Sequence, residues 1–126
     1  MVPLSKYDLD SVEKLSTASD DEVLQVLPQL LEWLQDCNWP VFPAICKRVA
    51  ALNEGQEEHI RSVLKGNDII WKCNVIGLLF PLMPLEKVVI YKDILKSIID
   101  NSSREDAEEG LIDYAEEQLL RIKGNT

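Results

Sequence analysis

Six side chains in the first two thirds of the chain have the chemistry to bind a partner molecule. Three are tryptophans and three are cations, and they lie at Trp33, Trp39, Lys47, Arg48, Trp71 and Lys72. Tryptophan often anchors protein interfaces because it offers a large aromatic area. Lysine and arginine bind carboxylates and phosphates. The six residues therefore predict a surface for a partner peptide, and the cations would suit an acidic peptide or a phosphate.

A structural role for the same six residues is the alternative. Trp39 and Trp71 each follow a short polar joint and stand at the expected start of a helix. A large ring at that position can pack into the groove between neighbouring helix pairs. The cations can cover apolar surface with their alkyl stems and keep the charges in solvent. Both interpretations stay open at the level of the sequence.

No arrangement typical of an enzyme is found among the residues. His59 is the only histidine. It directly follows Glu57 and Glu58, and adjacent side chains on a helix point in different directions. The chain shows no glycine-rich phosphate loop, no metal-ligand spacing and no nucleophile paired with a base. We therefore expect no catalytic residue, no metal site and no cofactor.

The net charge of −9 is concentrated at the two ends of the chain. The segment from Lys47 to Lys96 carries eight basic and six acidic residues, whereas the ends carry five basic and sixteen acidic ones. An acidic chain repels phosphate backbones, so nucleic-acid binding is disfavoured. A basic protein partner is the better match. The acids of the C-terminal segment suit such a partner, and a solvated face without a binding role is the alternative interpretation.

A cytoplasmic protein is expected from the cysteines and the N-terminus. Three cysteines are an odd number without C-x-x-C spacing, which favours reduced and largely buried thiols. Residues 1–10 lack the pattern of a signal peptide. The longest apolar run, residues 75–83, is shorter than the roughly 18 residues that a membrane span needs. The length of 126 residues fits a single domain, residues 1–126.

Apolar residues recur with helical spacing, and no alternating strand pattern is present. Ser19 and Glu22 form the spacing of a capping box, which predicts that a helix begins there and runs to about Cys37. Pro28 lies inside that helix and should bend or restart it, because proline lacks a backbone donor. The fold class expected from this pattern is all-α.

Three further helix boundaries follow from local residue types. Trp39-Pro40 should begin the next helix, with Pro40 in its first turn and Asp36 capping the free N–H groups. Gly66 should end a later helix as a left-handed cap. Ser102 and Glu105 have the spacing of a second capping box before the last helix.

Two segments, residues 27–52 and 60–83, resemble two copies of one helical hairpin, with a tryptophan at the matching position in each. A third hairpin is expected to begin near residue 85. Repeats of this length are typical of α-solenoids, in which each hairpin buries its apolar face against its neighbours. The predicted architecture is a HEAT-like α-α superhelix of about three helical hairpins. An orthogonal helical bundle is the alternative.

The segment LPQLLEWLQDCNWPV, residues 27–41, is similar to the core of a bacterial family known as domain of unknown function 5071. The flanking segments SDDEVLQVLP and HIRSVLKGNDIIWK also resemble that family, so the likeness extends from about Tyr7 to Leu120. The resemblance implies a HEAT-like helical fold. It implies no activity and no catalytic residue.

The leading functional hypothesis is a non-enzymatic protein-interaction module. Small acidic proteins of this kind serve as immunity proteins or adaptors that cover a basic surface. One alternative is a helical-repeat protein that binds nucleic acid or nucleotides through Lys47, Arg48, Lys72 and the tryptophans. Another is a structural subunit of a larger complex. The partner's identity and the oligomeric state do not follow from the sequence.

Overall fold

The computed structural model describes residues 1–124, and this part of the chain contains helices and turns but no strand. The predicted all-α class is confirmed. The predicted domain of residues 1–126 includes residues 125 and 126, which lie outside the described residues. The helices are α1 (Leu9–Thr17), α2 (Asp20–Gln25), α3 (Leu27–Glu32), α4 (Phe42–Ala50), α5 (Glu57–Lys65), α6 (Ile69–Asn74), α7 (Leu85–Val88), α8 (Lys92–Asp100), α9 (Arg104–Glu108) and α10 (Leu111–Lys123).

Several α-helices continue into turns of different pitch. A 3-10 turn, Trp33–Gln35, extends α3, and another, Val89–Tyr91, joins α7 to α8. The helix α6 continues through a π-helical turn, Val75–Leu79, and a 3-10 turn, Phe80–Leu82. Residues 69–82 thus form one continuous helical segment, called here the central helix.

The first capping box is confirmed, and Pro28 restarts the helix as expected. The Ser19 hydroxyl accepts from the Glu22 N–H at 3.2 Å, and the Glu22 carboxylate accepts from the Ser19 N–H at 3.1 Å. The helix that begins there breaks at Val26, and α3 begins at Leu27 with Pro28 in its first turn. Proline is tolerated there because first-turn N–H groups have no intrahelical acceptor.

The prediction that Trp39-Pro40 begins a helix is wrong. The helix α4 begins at Phe42, and the proline in its first turn is Pro43. Asp36 does not cap this helix, because its Oδ1 accepts from the Asn38 N–H at 2.8 Å inside the preceding turn. Short polar side chains favour such local hydrogen bonds, which shape a turn instead of a helix start.

Three further features also differ from the predictions. Gly66 ends α5 with extended backbone, φ −76° and ψ −173°, and not in the left-handed region. The second capping box lies one residue later than expected, between Ser103 and Asp106. The expected last helix is divided at Gly110, whose φ of +87° is a conformation that other residues rarely adopt.

The central helix lies in the middle of a single apolar core. Four residues of its second half, Val75, Ile76, Leu79 and Phe80, are fully buried. It packs against α4, α10 and the turn at residues 33–35, while α1 packs on α4 and α8 packs on α10. The Phe80 ring stacks on Tyr91, with ring centroids 5.0 Å apart. The surrounding helices are therefore held in place by their contacts with the central helix.

Candidate functional site

The indole N–H of Trp71 forms a hydrogen bond within the fold. Its Nε1 donates to the carbonyl of Leu31 at 2.9 Å. One turn later, Asn74 Nδ2 donates to the carbonyls of Leu34 and Gln35 at 2.9 and 3.2 Å. These carbonyls belong to the end of α3 and its 3-10 extension, where a helix leaves acceptors without intrahelical donors. The central helix thus caps the helix before it.

Arg48 has a similar role at the end of α1. Its Nε donates to the Leu15 carbonyl at 3.2 Å, and its Nη2 donates to the Ala18 carbonyl at 3.0 Å. The same Nη2 lies 2.8 Å from Asp20 Oδ1, and the other Asp20 oxygen accepts from the Asn53 N–H at 3.1 Å. The hydrogen bond from Arg48, followed by that from Asn53, lowers the pKa of Asp20. One guanidinium therefore joins α1, α2 and α4.

Two arginines that the sequence did not single out cap other helix ends. Arg121 donates to the carbonyls of Phe80 and Met83, at 3.0 and 2.6 Å, at the end of the central helix. Arg61 donates to the Ile90 carbonyl and forms an ion pair with Asp93 at 3.0 Å. Only Gly55 and Gly110 have positive φ among the described residues. Most helices lack a left-handed glycine at the C-terminal end. This absence indicates that the free carbonyl groups there need hydrogen-bond donors from other parts of the chain.

Trp33 and Trp39 form a half-buried pair. Their ring centroids lie 5.2 Å apart with an interplanar angle of 67°, an edge-to-face arrangement. Trp33 belongs to the 3-10 turn after α3, and Trp39 belongs to the turn before α4. Trp39 and Trp71 are thus not equivalent in position, because Trp71 lies within the first turn of α6. The paired rings hold the α3–α4 joint and keep part of their area in solvent.

The predicted cations do not lie together in one cleft. Lys47 and Arg48 line a groove of about 400 Å³ between α1 and α4, whose wall includes Leu9 and Val12. Lys72 is half-buried and lines a different cleft of about 220 Å³, formed with α5, α8 and α10. Arg48 is already bonded to two carbonyls and to Asp20. The structure therefore divides these three candidates between two places.

The clearest charged face is formed by α9 and α10. Six of its carboxylates are exposed and are called here the acidic surface: Glu105, Glu108, Glu109, Asp113, Glu116 and Glu117. Glu108 pairs with Arg104 at 3.1 Å, but both side chains are more than half exposed, so the pair is weak. Exposed apolar side chains lie among these acids, including Tyr114 and Leu120. This combination of acids and apolar area is suited to a basic protein surface.

The three cysteines are free thiols, as predicted, but only Cys46 and Cys73 are buried. Burial raises the pKa of Cys46 to about 12 and that of Cys73 to about 11. Both thiols are therefore protonated at neutral pH, and a protonated thiol is a poor nucleophile and a poor metal ligand. Cys37 is exposed in the turn after α3.

Within residues 1–124, no group of histidine, cysteine, aspartate and glutamate side chains has the geometry to hold a metal ion. In the same range, the helices are all too short or too polar to cross a membrane.

Comparison with known proteins identifies one family. A family model described as "Domain of unknown function (DUF5071)" matches residues 1–119. The resemblance carried by residues 27–41 is thus confirmed over most of the chain. No curated protein matches the chain.

Proposed function

The chain belongs to the DUF5071 family, and we propose that it is a non-enzymatic protein-interaction module that binds a basic partner protein. The acidic surface on α9 and α10 carries this proposal. Its carboxylates are exposed and closely spaced, with Glu105 and Glu109, and Asp113 and Glu117, four residues apart. Like charges at that spacing repel each other mildly. A basic partner would relieve the repulsion and would be drawn to this face by long-range attraction.

The arrangement of the helices that we propose is a HEAT-like superhelix of about three hairpins. Support comes from neighbouring pairs, since α3 packs on α5, α5 packs on α6, and α8 packs on α10. Of these pairs, α5 and α6 are joined by a tight turn, residues 66–68. Such repeats present extended faces to partner proteins, which agrees with an interaction role.

We propose that the chain acts in the bacterial cytoplasm, either as an immunity protein or as an adaptor. The size, the acidity and the reduced thiols support this setting. An immunity protein would cover the basic surface of a toxin, and an adaptor would link two proteins. Both forms require a specific protein contact and no chemistry by the chain itself.

The experiment is capture of partners by the tagged full chain, followed by identification of the bound protein. The test variant replaces Glu109, Glu116 and Glu117 with glutamine, which removes charge from the acidic surface. The matched control replaces three exposed glutamates elsewhere, Glu13, Glu32 and Glu58. We expect a basic protein that is released by salt, since screening weakens exposed charge pairs, and that is lost with the test variant alone.

Three results would overturn the proposal. Copurification of nucleic acid in place of a protein would favour the helical-repeat nucleic-acid binder. Self-association alone, detected by light scattering, would favour a structural subunit. Equal capture by the test variant and the control variant would show that the acidic surface is not the contact.

A further inference from the structure

We propose that the chain binds a primary alkylammonium group in a cavity of about 300 Å³ that ends at the buried side chain of Tyr91. Residues 53–57, between α4 and the first residue of α5, form one wall of the cavity. Residues from the range 83–91, around α7, form the other. In the described part of the chain, the lining includes no residue of α9 or α10. The inference therefore goes beyond the proposed role of the acidic surface.

The hydroxyl of Tyr91 carries the proposal. The side chain is fully buried, and its oxygen has no hydrogen-bond partner within residues 1–124. Burial, followed by the charge of Glu57, raises the pKa of this hydroxyl. Glu57 lies on the opposite wall of the same cavity, so the hydroxyl is directed towards the cavity. A buried hydroxyl without a partner costs free energy, and a bound polar group would recover it.

Gln56 supplies a second buried polar atom on the same cavity. Its side chain is only 3% exposed, and its Nε2 donates to the Leu52 carbonyl at 3.2 Å. Among the described residues, no donor is bonded to its Oε1. An amide oxygen can accept two hydrogen bonds. The cavity thus brings together two buried oxygens that can each accept from a ligand.

Contacts within the fold hold both walls in place. The Tyr91 ring stacks on Phe80, with centroids 5.0 Å apart, and the Arg61 guanidinium lies 5.4 Å from the centroid of the Tyr91 ring. On the other wall, the Asn53 N–H donates to Asp20 at 3.1 Å. A site whose groups are already ordered loses less entropy on binding.

The charges around the cavity favour a cation. The carboxylates that line it are Glu54, Glu57 and Glu86. Lys87 is the cation in the described lining. Arg61 pairs with Glu57 at 2.9 Å, but it also pairs with Asp93 at 3.0 Å. Even with Lys87 and Arg61 both counted against the three carboxylates, negative charge remains in excess.

A primary ammonium group matches these acceptors. It carries three N–H donors and no acceptor, and it is compact. The Tyr91 oxygen, the Gln56 amide oxygen and the Glu86 carboxylate can each accept one of its hydrogen bonds. Met83 and Ile90 also line the cavity and would contact the alkyl stem. The group can belong to a free alkylamine or to a lysine side chain of another protein.

The experiment is a titration of the full chain followed by backbone amide shifts in NMR spectra. One probe is n-butylamine, which is protonated at neutral pH, and another is lysine blocked at both its amino and carboxyl ends. Butanol and butyrate are the neutral and anionic controls. The test variants are Tyr91→Phe and Glu86→Gln. Their matched controls are Tyr7→Phe and Glu32→Gln, at exposed positions outside this cavity.

With the wild-type chain, we expect n-butylamine to shift the amides of residues 53–57 and 83–91. Affinity should fall about tenfold in Tyr91→Phe, which loses one hydrogen bond to a charged group, and should also fall in Glu86→Gln. The thermal unfolding midpoint of unliganded Tyr91→Phe should not fall, because its hydroxyl has no partner to lose. Tighter binding of the blocked lysine than of n-butylamine would assign the site to a protein partner, and the reverse order to a free amine.

Several results would overturn the inference. One is equal affinity of Tyr91→Phe and Tyr7→Phe for both amines. Another is binding of butanol or butyrate as tight as that of n-butylamine, since Lys87 would then select the ligand or charge would have no role. The absence of shifts around the cavity with either amine would show that it holds water only. None of these results affects the capture experiment, whose variants lie outside this cavity.

Discussion

Two regions of this molecule carry residues typical of interfaces, and they differ in where their polar groups are directed. In the region of residues 33–74, Trp71 and Asn74 donate hydrogen bonds to carbonyls of the same chain. In α9 and α10, the six carboxylates of the acidic surface face solvent. A conspicuous residue type is thus a weaker indication of binding than a group whose hydrogen-bonding or charge interactions are left open.

The difference has a physical origin in the ends of short helices. Each helix leaves carbonyl groups at its C-terminus, and a buried carbonyl without a donor costs free energy. Within residues 1–124, most helices do not end in a left-handed glycine. At the ends of α1, α3 and the central helix, side chains from other helices supply the donors. Indole, amide and guanidinium groups suit this role because they carry N–H donors at the end of a long or rigid side chain.

The largest effect that tests this comparison is expected from Trp71→Ala. The variant loses ring packing and the hydrogen bond to Leu31, so the free energy of unfolding should fall by about 3–5 kcal/mol. Denaturant unfolding monitored by circular dichroism measures the change. Trp71→Phe keeps most of the ring and loses the N–H donor, and should cost about 1 kcal/mol. An unchanged stability in Trp71→Ala would instead assign the ring to a binding surface.

The second effect concerns Arg48 and its neighbour Lys47. Arg48→Ala removes the donor to Leu15, Ala18 and Asp20 and should lower the free energy of unfolding by about 2 kcal/mol. Lys47→Ala is the matched control, because Lys47 is exposed and should change stability by less than about 0.5 kcal/mol. Similar losses in the two variants would mean that the helix-end contacts of Arg48 contribute little.

The pH dependence of stability tests the contact between Arg48 and Asp20 through the ionisation of Asp20. The pKa of Asp20 is lowered in the folded chain, first by the hydrogen bond from Arg48. The stabilisation is therefore complete above the ordinary value of 3.8 and is lost as the pH falls through the lower folded pKa. Urea unfolding at a series of acidic pH values should show a shallower decline for Asp20→Asn than for the wild-type chain. Parallel declines would contradict this assignment.

The smallest effect on stability is expected on the acidic surface. Glu116→Gln with Glu117→Gln should change the free energy of unfolding by less than about 0.5 kcal/mol, because both side chains are exposed. Thermal unfolding checks this. In the capture experiment, this variant should nevertheless retain less of the basic partner protein than the wild-type chain. A marked loss of stability would show that these carboxylates serve the fold, and the contrast between the two regions would disappear.

The helices themselves could be predicted from the sequence because their causes are local. The Ser19–Glu22 capping box and the restart at Pro28 depend on residues that are close in the chain. The start of α4 was misplaced because Pro40 and Pro43 are both compatible with a first helical turn. The second capping box was misplaced by one residue because Ser102 and Ser103 each have an acid three residues later.

The roles of the candidate site residues depend on distant contacts and could not be predicted in the same way. Trp71 and Leu31 are 40 residues apart, and Arg48 and Leu15 are 33 apart. Nothing in the local sequence indicates which helix end a given side chain will reach. The acidic surface was easier to anticipate, since carboxylates along a helix seldom have enough cations nearby to pair with all of them.

The capping of helix ends by other helices has a consequence for how freely segments of this chain can be exchanged. In many repeat proteins, one unit can be removed, duplicated or transplanted because its contacts end at its neighbour's apolar face. Here a segment cut out of the chain would also lose the donors that complete its backbone, since residues 27–35 depend on Trp71 and Asn74. A shortened chain would expose carbonyl groups as well as apolar area, so this domain should be inherited and engineered as a whole.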